Sequence, residues 1–447
     1  MALYAFPPGF LWGAATASYQ IEGGHDADGR GESIWDRFSH TPGRTMNGDT
    51  GDVACDHYHR YREDIALMRD LGLKAYRFSV AWPRIQPDGT GSPNQAGLDF
   101  YSRLVDGLLE AGITPLPTLY HWDLPQPLED RGGWPNLETA TRFAEYAGIV
   151  FDALGDRVKH WITLNEPWCT AHLGYYSGEH APGRRDLDAC LAAGHALVVA
   201  HGLAVRRLRR THPDSRIGIT DNFSAVHPAT DRPEDLEAAA RWDAYMNRWF
   251  IDPIFFGDYP AELRAEWDGR LPRFTEEQRD IVRAPIDFIG VNYYSRSLVR
   301  DGGPGSLLRV GFSGSGLPRT AMGWEIYPDG LYEVLTTLRD RYANPLLYVT
   351  ENGAAFDESV AASGRVEDED RRTYLRDHFL AAHRAITSGV PLAGYFVWSL
   401  MDNFEWAYGF TKRFGIVHVD YATQKRTPKR SAEWYSQVIR QNAVSDD

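Results

Sequence analysis

Residues Leu346–Phe356 read LLYVTENGAAF. An apolar and aromatic run closes on a glutamate, Glu351, and Asn352-Gly353 then breaks the run. A short run of this kind bounded by a turn dipeptide predicts a buried strand with a carboxylate at its tip. His160–Trp168, HWITLNEPW, has the same form, with Glu166 at the end. Six further runs, Phe10–Trp12, Ala75–Val80, Thr114–Tyr120, Ile217–Thr220, Phe288–Tyr293 and Leu392–Ser399, bring the number to eight. Longer segments of helical periodicity separate them. Tyr58, Tyr61, Ile65, Met68 and Leu71, for instance, follow at spacings of three or four. Gly72, Gly112, Gly155 and Gly389 mark helix ends just ahead of a strand. Eight alternations of buried strand and amphipathic helix predict an α/β fold, a (β/α)8 TIM barrel.

No linker, repeat or change of composition divides the 447 residues, so one catalytic domain over 1–447 is expected. Elongated βα loops would form its rim, the Gly- and Ser-rich stretch Asp301–Arg319 among them. Hydrophobic residues make up 43% and charged residues 24%, which suits a globular enzyme with a large core. The formal charge of −14 disfavours nucleic acid and anionic membranes as partners. Three widely spaced cysteines, Cys55, Cys169 and Cys190, suggest no disulfide framework. The N-terminus has no basic and apolar leader pattern, and no uninterrupted apolar run reaches membrane-spanning length. A cytoplasmic location is therefore expected.

Barrel enzymes place their sites at the C-terminal ends of the strands. Here those ends are polar: His121, Asn165 with Glu166, Asn292 with Tyr294, and Glu351, with Trp398 near the end of the last strand. The two glutamates lie 185 residues apart, and a barrel would bring them to one rim. Two carboxyls ringed by Asn, His, Tyr and Trp suit cleavage of a glycosidic bond. One carboxyl protonates the leaving oxygen and the other faces the developing oxocarbenium ion. At a separation of ~5–5.5 Å the second attacks carbon, and configuration is retained. The scheme uses no metal and no cofactor.

The motifs also resemble a known family. TLNEP (Thr163–Pro167) and TENG (Thr350–Gly353) are similar to the signatures of glycoside hydrolase family 1, the β-glucosidase family. So are FLWGAATASYQIEG from Phe10, YRFSVAWPRI from Tyr76, LYHWDLP from Leu119, GVNYYS from Gly290 and WSLMDNFEWAYGF from Trp398. The resemblance runs from about residue 7 to about residue 430 in family order. It implies Glu351 as nucleophile and Glu166 as acid/base. It further implies Gln20, His121, Asn165, Glu405 and Trp406 as contacts to glycone hydroxyls, with Trp398 as the platform under that sugar. Arg77 and Tyr294 would tune the nucleophile, Asn292 would contact the same region, and Trp168 and Trp324 would line the aglycone entrance. The expected substrates are β-glucosides, including cellobiose-like disaccharides and aryl glucosides, with β-galactosides and β-fucosides as companions. Family members that take 6-phosphorylated sugars replace the glutamate matching Glu405, so unphosphorylated glycones are implied. A guanidinium at Arg77 is expected to hold Glu351 below its ordinary pKa, and shielding from water to raise Glu166.

Isolated glutamates after strands are usually ion-pair partners, tryptophans are usually core, and Arg77 could be a structural ion-pair residue. His57 and His59, two apart, hint at a metal, but side chains two apart on a helix do not face each other. Asp56 is expected there as an N-cap. Cys169 is expected near the site as a packing residue. The competing functions are a β-galactosidase or transglycosylase, a non-catalytic glycan-binding barrel, and a metal-dependent barrel hydrolase.

Overall fold

A computed structural model of the protein describes every residue except Met1, Ser359, Ala362 and Ser363. Eight parallel strands form the centre: β1 (Leu11–Ala15), β2 (Ala75–Ser79), β3 (Thr114–Tyr120), β4 (His160–Asn165), β5 (Arg216–Pro228), β6 (Phe288–Asp301), β7 (Leu347–Asn352) and β8 (Leu392–Trp398). Each pairs with the next, β8 pairs with β1, and the ring closes as a (β/α)8 barrel. Val349, Val397, Ile289 and Leu164 are fully buried, which explains why the strands read as apolar runs rather than alternating ones.

Helices ring the barrel, among them His57–Leu71, Gln95–Glu110, Glu138–Leu154, Leu187–Thr211, Pro328–Arg341, Glu369–Thr387 and Arg430–Gln441. Leu187–Thr211 is apolar and long enough to cross a membrane by length and composition, but here most of it is buried against its neighbours. Its start is fixed by Asp186, whose side chain accepts from the amides of Asp188 and Ala189. Trp12, Trp35, Trp82, Trp134, Trp161 and Trp249 are fully buried, so many tryptophans are core as a bland reading supposes. Burying each large apolar side chain stabilises the fold by about 1.5–3 kcal/mol.

The expected strand positions hold, and some boundaries move. The first strand begins at Leu11 and runs to Ala15, beyond the expected Phe10–Trp12. The larger differences are in β5 and β6, which continue for 13 and 14 residues and stay paired above the barrel rim. Their outer halves carry Ser, His and Arg and are only partly buried, so they give no apolar-run signal. Asp301–Arg319, expected as loop, contains a tight turn with left-handed Leu308 and Arg309 and a short strand, Val310–Phe312, antiparallel to the end of β6.

Helix ends differ in mechanism too. Gly72, which ends His57–Leu71, is left-handed at φ 81°, as expected of a glycine stop. Gly155 is not, at φ −70°; there a side chain would collide with His212. Asp56 sits at the N-cap position but is left-handed and caps nothing. Its carboxylate instead accepts from His59 Nδ1 at 2.6 Å and Arg60 Nε at 3.2 Å. His57 is paired with buried Asp64 at 2.7 Å, so the two histidines serve separate partners. Glu358, Asp402 and His418 bring ligand atoms within 4.8 Å of one another. That cluster is already neutralised: the Lys429 ammonium reaches both carboxylates, and Arg413 and Arg371 add to it. It anchors the segment after β8 that carries Glu405 and Trp406.

Candidate active site

Both expected catalytic glutamates follow a strand irregularity. β4 takes three residues from Ile162 to Asn165 while β5 takes two from Gly218 to Thr220. β7 takes two from Val349 to Glu351 while β6 takes one from Val291 to Asn292. An extra residue of this kind re-aims the side chains beyond it. Glu166 also has a left-handed backbone, φ 45°, which is strained for a residue with a Cβ. At the other tip Gly353 lets the chain leave: a Cβ there would lie 1.6 Å from the Trp398 carbonyl oxygen.

Arg77 on β2 joins the two tips. Its Nη1 donates to Glu351 Oε1 at 2.5 Å and to the Thr350 carbonyl at 3.2 Å. Its Nη2 donates to Asn165 Oδ1 at 2.5 Å, and its Nε to Thr118 Oγ1 at 3.1 Å. Tyr294 Oη donates to Glu351 Oε2 at 2.6 Å, so both oxygens of that carboxyl are held. Glu166 is held more weakly. Asn292 Nδ2 donates to its Oε1 at 2.7 Å, and the Cys169 thiol to its Oε2 at 3.1 Å.

The donors decide which carboxyl ionises first. Burial and the charge of Glu351 push Glu166 up to about 8, against the Asn292 hydrogen bond. Burial raises Glu351 as well, and Arg77 and Tyr294 only moderate that rise. The expectation that Arg77 would hold Glu351 below its ordinary value is therefore corrected, because the carboxyl is almost wholly withdrawn from water. The order survives the correction. With one guanidinium for two carboxyls, the charge settles on Glu351 and the remaining proton on Glu166. Glu405 is likewise pushed up to about 8, by burial and by Glu351 and Glu166.

A cavity of about 410 Å³ opens over these groups, walled by Glu166, Glu351, Glu405, Trp398, Trp406 and His121. Trp168 and Trp324 line it too, Trp168 packed on His172 at 4.3 Å and Trp324 on Tyr294 at 5.3 Å. Trp398 and Trp406 each lie 5.8 Å from the His121 ring in near-parallel orientation. Gln20, Asn165, Asn292 and Arg77 are buried and do not contribute to the wall. Asn165 Nδ2 donates to His121 Nε2 at 3.0 Å, which leaves the imidazole proton on Nδ1. Burial, with Arg77, drives the His121 pKa well down and keeps the ring neutral. Gln20 Nε2 donates to Asn403 Oδ1 and the Phe404 carbonyl. Gln20 Oε1, His121 Nδ1 and Glu405 Oε2 are buried with no hydrogen bond within the described residues. Such atoms call for a ligand or water partner.

The cavity wall also includes residues that sequence reading missed. Asn222 and Ser224 come from the outer half of β5, and Arg296 and Ser297 from that of β6. The signal available was the polar run past each strand tip, Asp221-Asn222 and Ser295-Arg296-Ser297. Trp122, next to His121, packs at a tilt against Trp406 at 4.5 Å and donates to the Asn165 carbonyl at 2.9 Å.

Comparison with known proteins agrees with this architecture. The sequence model described as Glycosyl hydrolase family 1 matches residues 3–444. Beta-glucosidase A of Thermotoga maritima is 53% identical over 448 residues, covering 100% of each chain. A bifunctional beta-D-glucosidase/beta-D-fucosidase of Bifidobacterium breve is 47% identical, covering 97% of this chain and 98% of its own. The solved family 1 β-glucosidase from Thermotoga maritima superimposes with a TM-score of 0.97 at 53% identity, covering 99% of this chain and 100% of that one. The β-glucosidase of that organism in complex with deoxynojirimycin superimposes at 0.96 and 52% identity, with the same coverage. The chain belongs to glycosyl hydrolase family 1.

Proposed function

We propose that the protein is a retaining β-glucosidase. It removes terminal non-reducing β-D-glucosyl residues from oligosaccharides and from aryl or alkyl glucosides, with galactosyl and fucosyl substrates as side activities. One observation carries the reading: two buried glutamates face one cavity with unequal donor sets, Arg77 and Tyr294 on Glu351, Asn292 and Cys169 on Glu166. The first is made to bear charge, and the second to bear a proton.

In the first step Glu351 attacks the anomeric carbon while Glu166 protonates the departing oxygen. Charge leaves Glu351 as the glycosyl bond forms, which removes the Coulombic cause of the raised Glu166 pKa. Glu166 then ionises readily and takes a proton from the incoming water. Trp398 supplies an apolar face under the glucosyl ring, and Trp406 contacts its hydroxyls. His121 Nδ1 and Glu405 Oε2, on the cavity wall and unpartnered within the described protein, supply hydrogen bonds to its hydroxyls. The wall holds four carboxyls, Glu166, Glu179, Glu351 and Glu405, and its guanidinium, Arg296, is already paired with Glu325, so a 6-phosphate would find no free counter-charge. The name of the Bifidobacterium breve relative supports the fucosidase side activity. A reducing, cytoplasmic setting belongs to the same reading, supported by three buried free thiols.

A panel of p-nitrophenyl β-glycosides, with cellobiose, lactose and a 6-phospho-β-glucoside, tests the assignment. Hydrolysis of the β-glucosides with retention is expected, the phosphorylated substrate should be refused, and EDTA should change nothing. If no β-glycoside in the panel is cleaved, the reading is wrong. The pH profile provides a separate check. Glu166 must be protonated to act and is pushed up to about 8, so kcat/KM should fall as pH rises through that value. Glu351 must be ionised, so activity should also be lost on the acid side. A rate that keeps rising well above pH 8 would remove Glu166 as the acid.

A further inference from the structure

Among the described residues the Glu166 carboxyl has one hydrogen-bond partner outside the seven sequence blocks. Cys169 opens the π-helical segment Cys169–Ser177, three residues after Glu166, and its Sγ lies 3.1 Å from Glu166 Oε2. The opposite oxygen, Oε1, accepts from Asn292 Nδ2 at 2.7 Å. Asn292 cannot reverse its amide, because Thr350 Oγ1 donates to its Oδ1 at 2.8 Å and its Nδ2 also serves Asn165 Oδ1 at 3.1 Å. With Oε1 committed as an acceptor, a protonated Glu166 carries its proton on Oε2. That oxygen is the one beside the thiol. A thiol is both a weak donor and a weak acceptor, so it can meet either state.

We propose that Cys169 is a positioning residue for Glu166, its thiol donating to Oε2 of the carboxylate and turning its hydrogen away when Oε2 is protonated. The inference rests on Glu166 being the acid/base. The weakness of the S–H donor is what fits the task. A hydroxyl at the same place would stabilise the carboxylate more strongly, and the acid would lose its proton at lower pH. A methyl group would stabilise it less. The other groups facing Glu166 stay the same in such a series: Glu351 from β7, Arg77 from β2, Asp221 from β5, Tyr294 from β6 and Glu405 from the segment after β8. Burial holds the Cys169 thiol well above its ordinary pKa, so sulfur stays protonated and takes no part as a nucleophile.

The test is the alkaline limb of kcat/KM for wild type, Cys169→Ser and Cys169→Ala, each with p-nitrophenyl β-glucoside and with cellobiose. The serine variant should shift the limb to lower pH and the alanine variant to higher pH, each by about half a unit to one unit. Cellobiose, with its poor leaving group, should suffer more from the serine variant than the aryl glucoside at the same alkaline pH. A packing role alone would change rates without moving the two limbs in opposite directions. Coincident limbs, or limbs that move the same way, overturn the proposal. Glu166→Ala measured in parallel separates the two failures. If it lacks leaving-group dependence, the acid/base reading fails; if it shows that dependence while the Cys169 limbs coincide, only the positioning role fails.

Discussion

Replacing Glu351 with glycine should lower turnover of p-nitrophenyl β-glucoside by about 10⁶-fold, the scale on which a covalent mechanism loses its nucleophile. The geometry says why nothing nearby substitutes. Tyr294 Oη touches the same carboxyl, but burial and the surrounding carboxyls hold its pKa well above the ordinary value, so it is no nucleophile. The variant leaves Arg77 buried with only Asn165, Thr118 and the Thr350 carbonyl as acceptors. Removing one partner of a buried pair costs about 3–5 kcal/mol, so a lowered melting temperature should accompany the loss of activity. Activity must then be compared well below that melting point. Azide is a small anion that fits the vacated place beside the guanidinium and restores the missing charge. It should recover measurable turnover and give the α-glycosyl azide, because it attacks the face opposite the leaving group. Recovery of the β-azide would exchange the roles of Glu351 and Glu166.

The contrast between these two glutamates marks how far the sequence could be read. LLYVTENGAAF placed Glu351 at a strand tip because β7 is buried on both faces and the Asn-Gly that follows is a strong turn signal. The same logic located all eight strands. It failed above the rim, where β5 and β6 carry SAVHP and SRSLVRD and are half solvated. Ser224 and Ser297 were lost with those segments, although both line the cavity. Electrostatics were legible only in part. The family resemblance implied Arg77 as a partner of Glu351, but not the degree of burial, and burial outweighs the guanidinium. Cys169 was legible as a neighbour from its spacing. That its sulfur faces Oε2 depends on a left-handed Glu166 and a π-helical segment, and neither has a sequence signal of its own.

Replacing Glu166 with alanine should divide substrates by their leaving groups. Cellobiose needs a proton on its departing oxygen, and its hydrolysis should fall by ~10²–10⁴-fold, the usual worth of general acid catalysis. A dinitrophenyl glucoside departs without that help, so Glu351 should still be glycosylated at a substantial rate. Water then lacks its base, and the reaction should show a burst followed by a stall. Azide, which needs no base, should relieve the stall and give the β-glycosyl azide. The alkaline limb assigned to Glu166 near 8 should vanish from the first step, since the group that titrates there is gone. Stability should change little or improve. The side chain removed is a buried carboxyl held by one amide and one thiol, and its loss also relieves the repulsion on Glu351. Equal losses for every leaving group would place the proton donor elsewhere, and Glu405, also pushed up to about 8 in the same cavity, would be the next carboxyl to test.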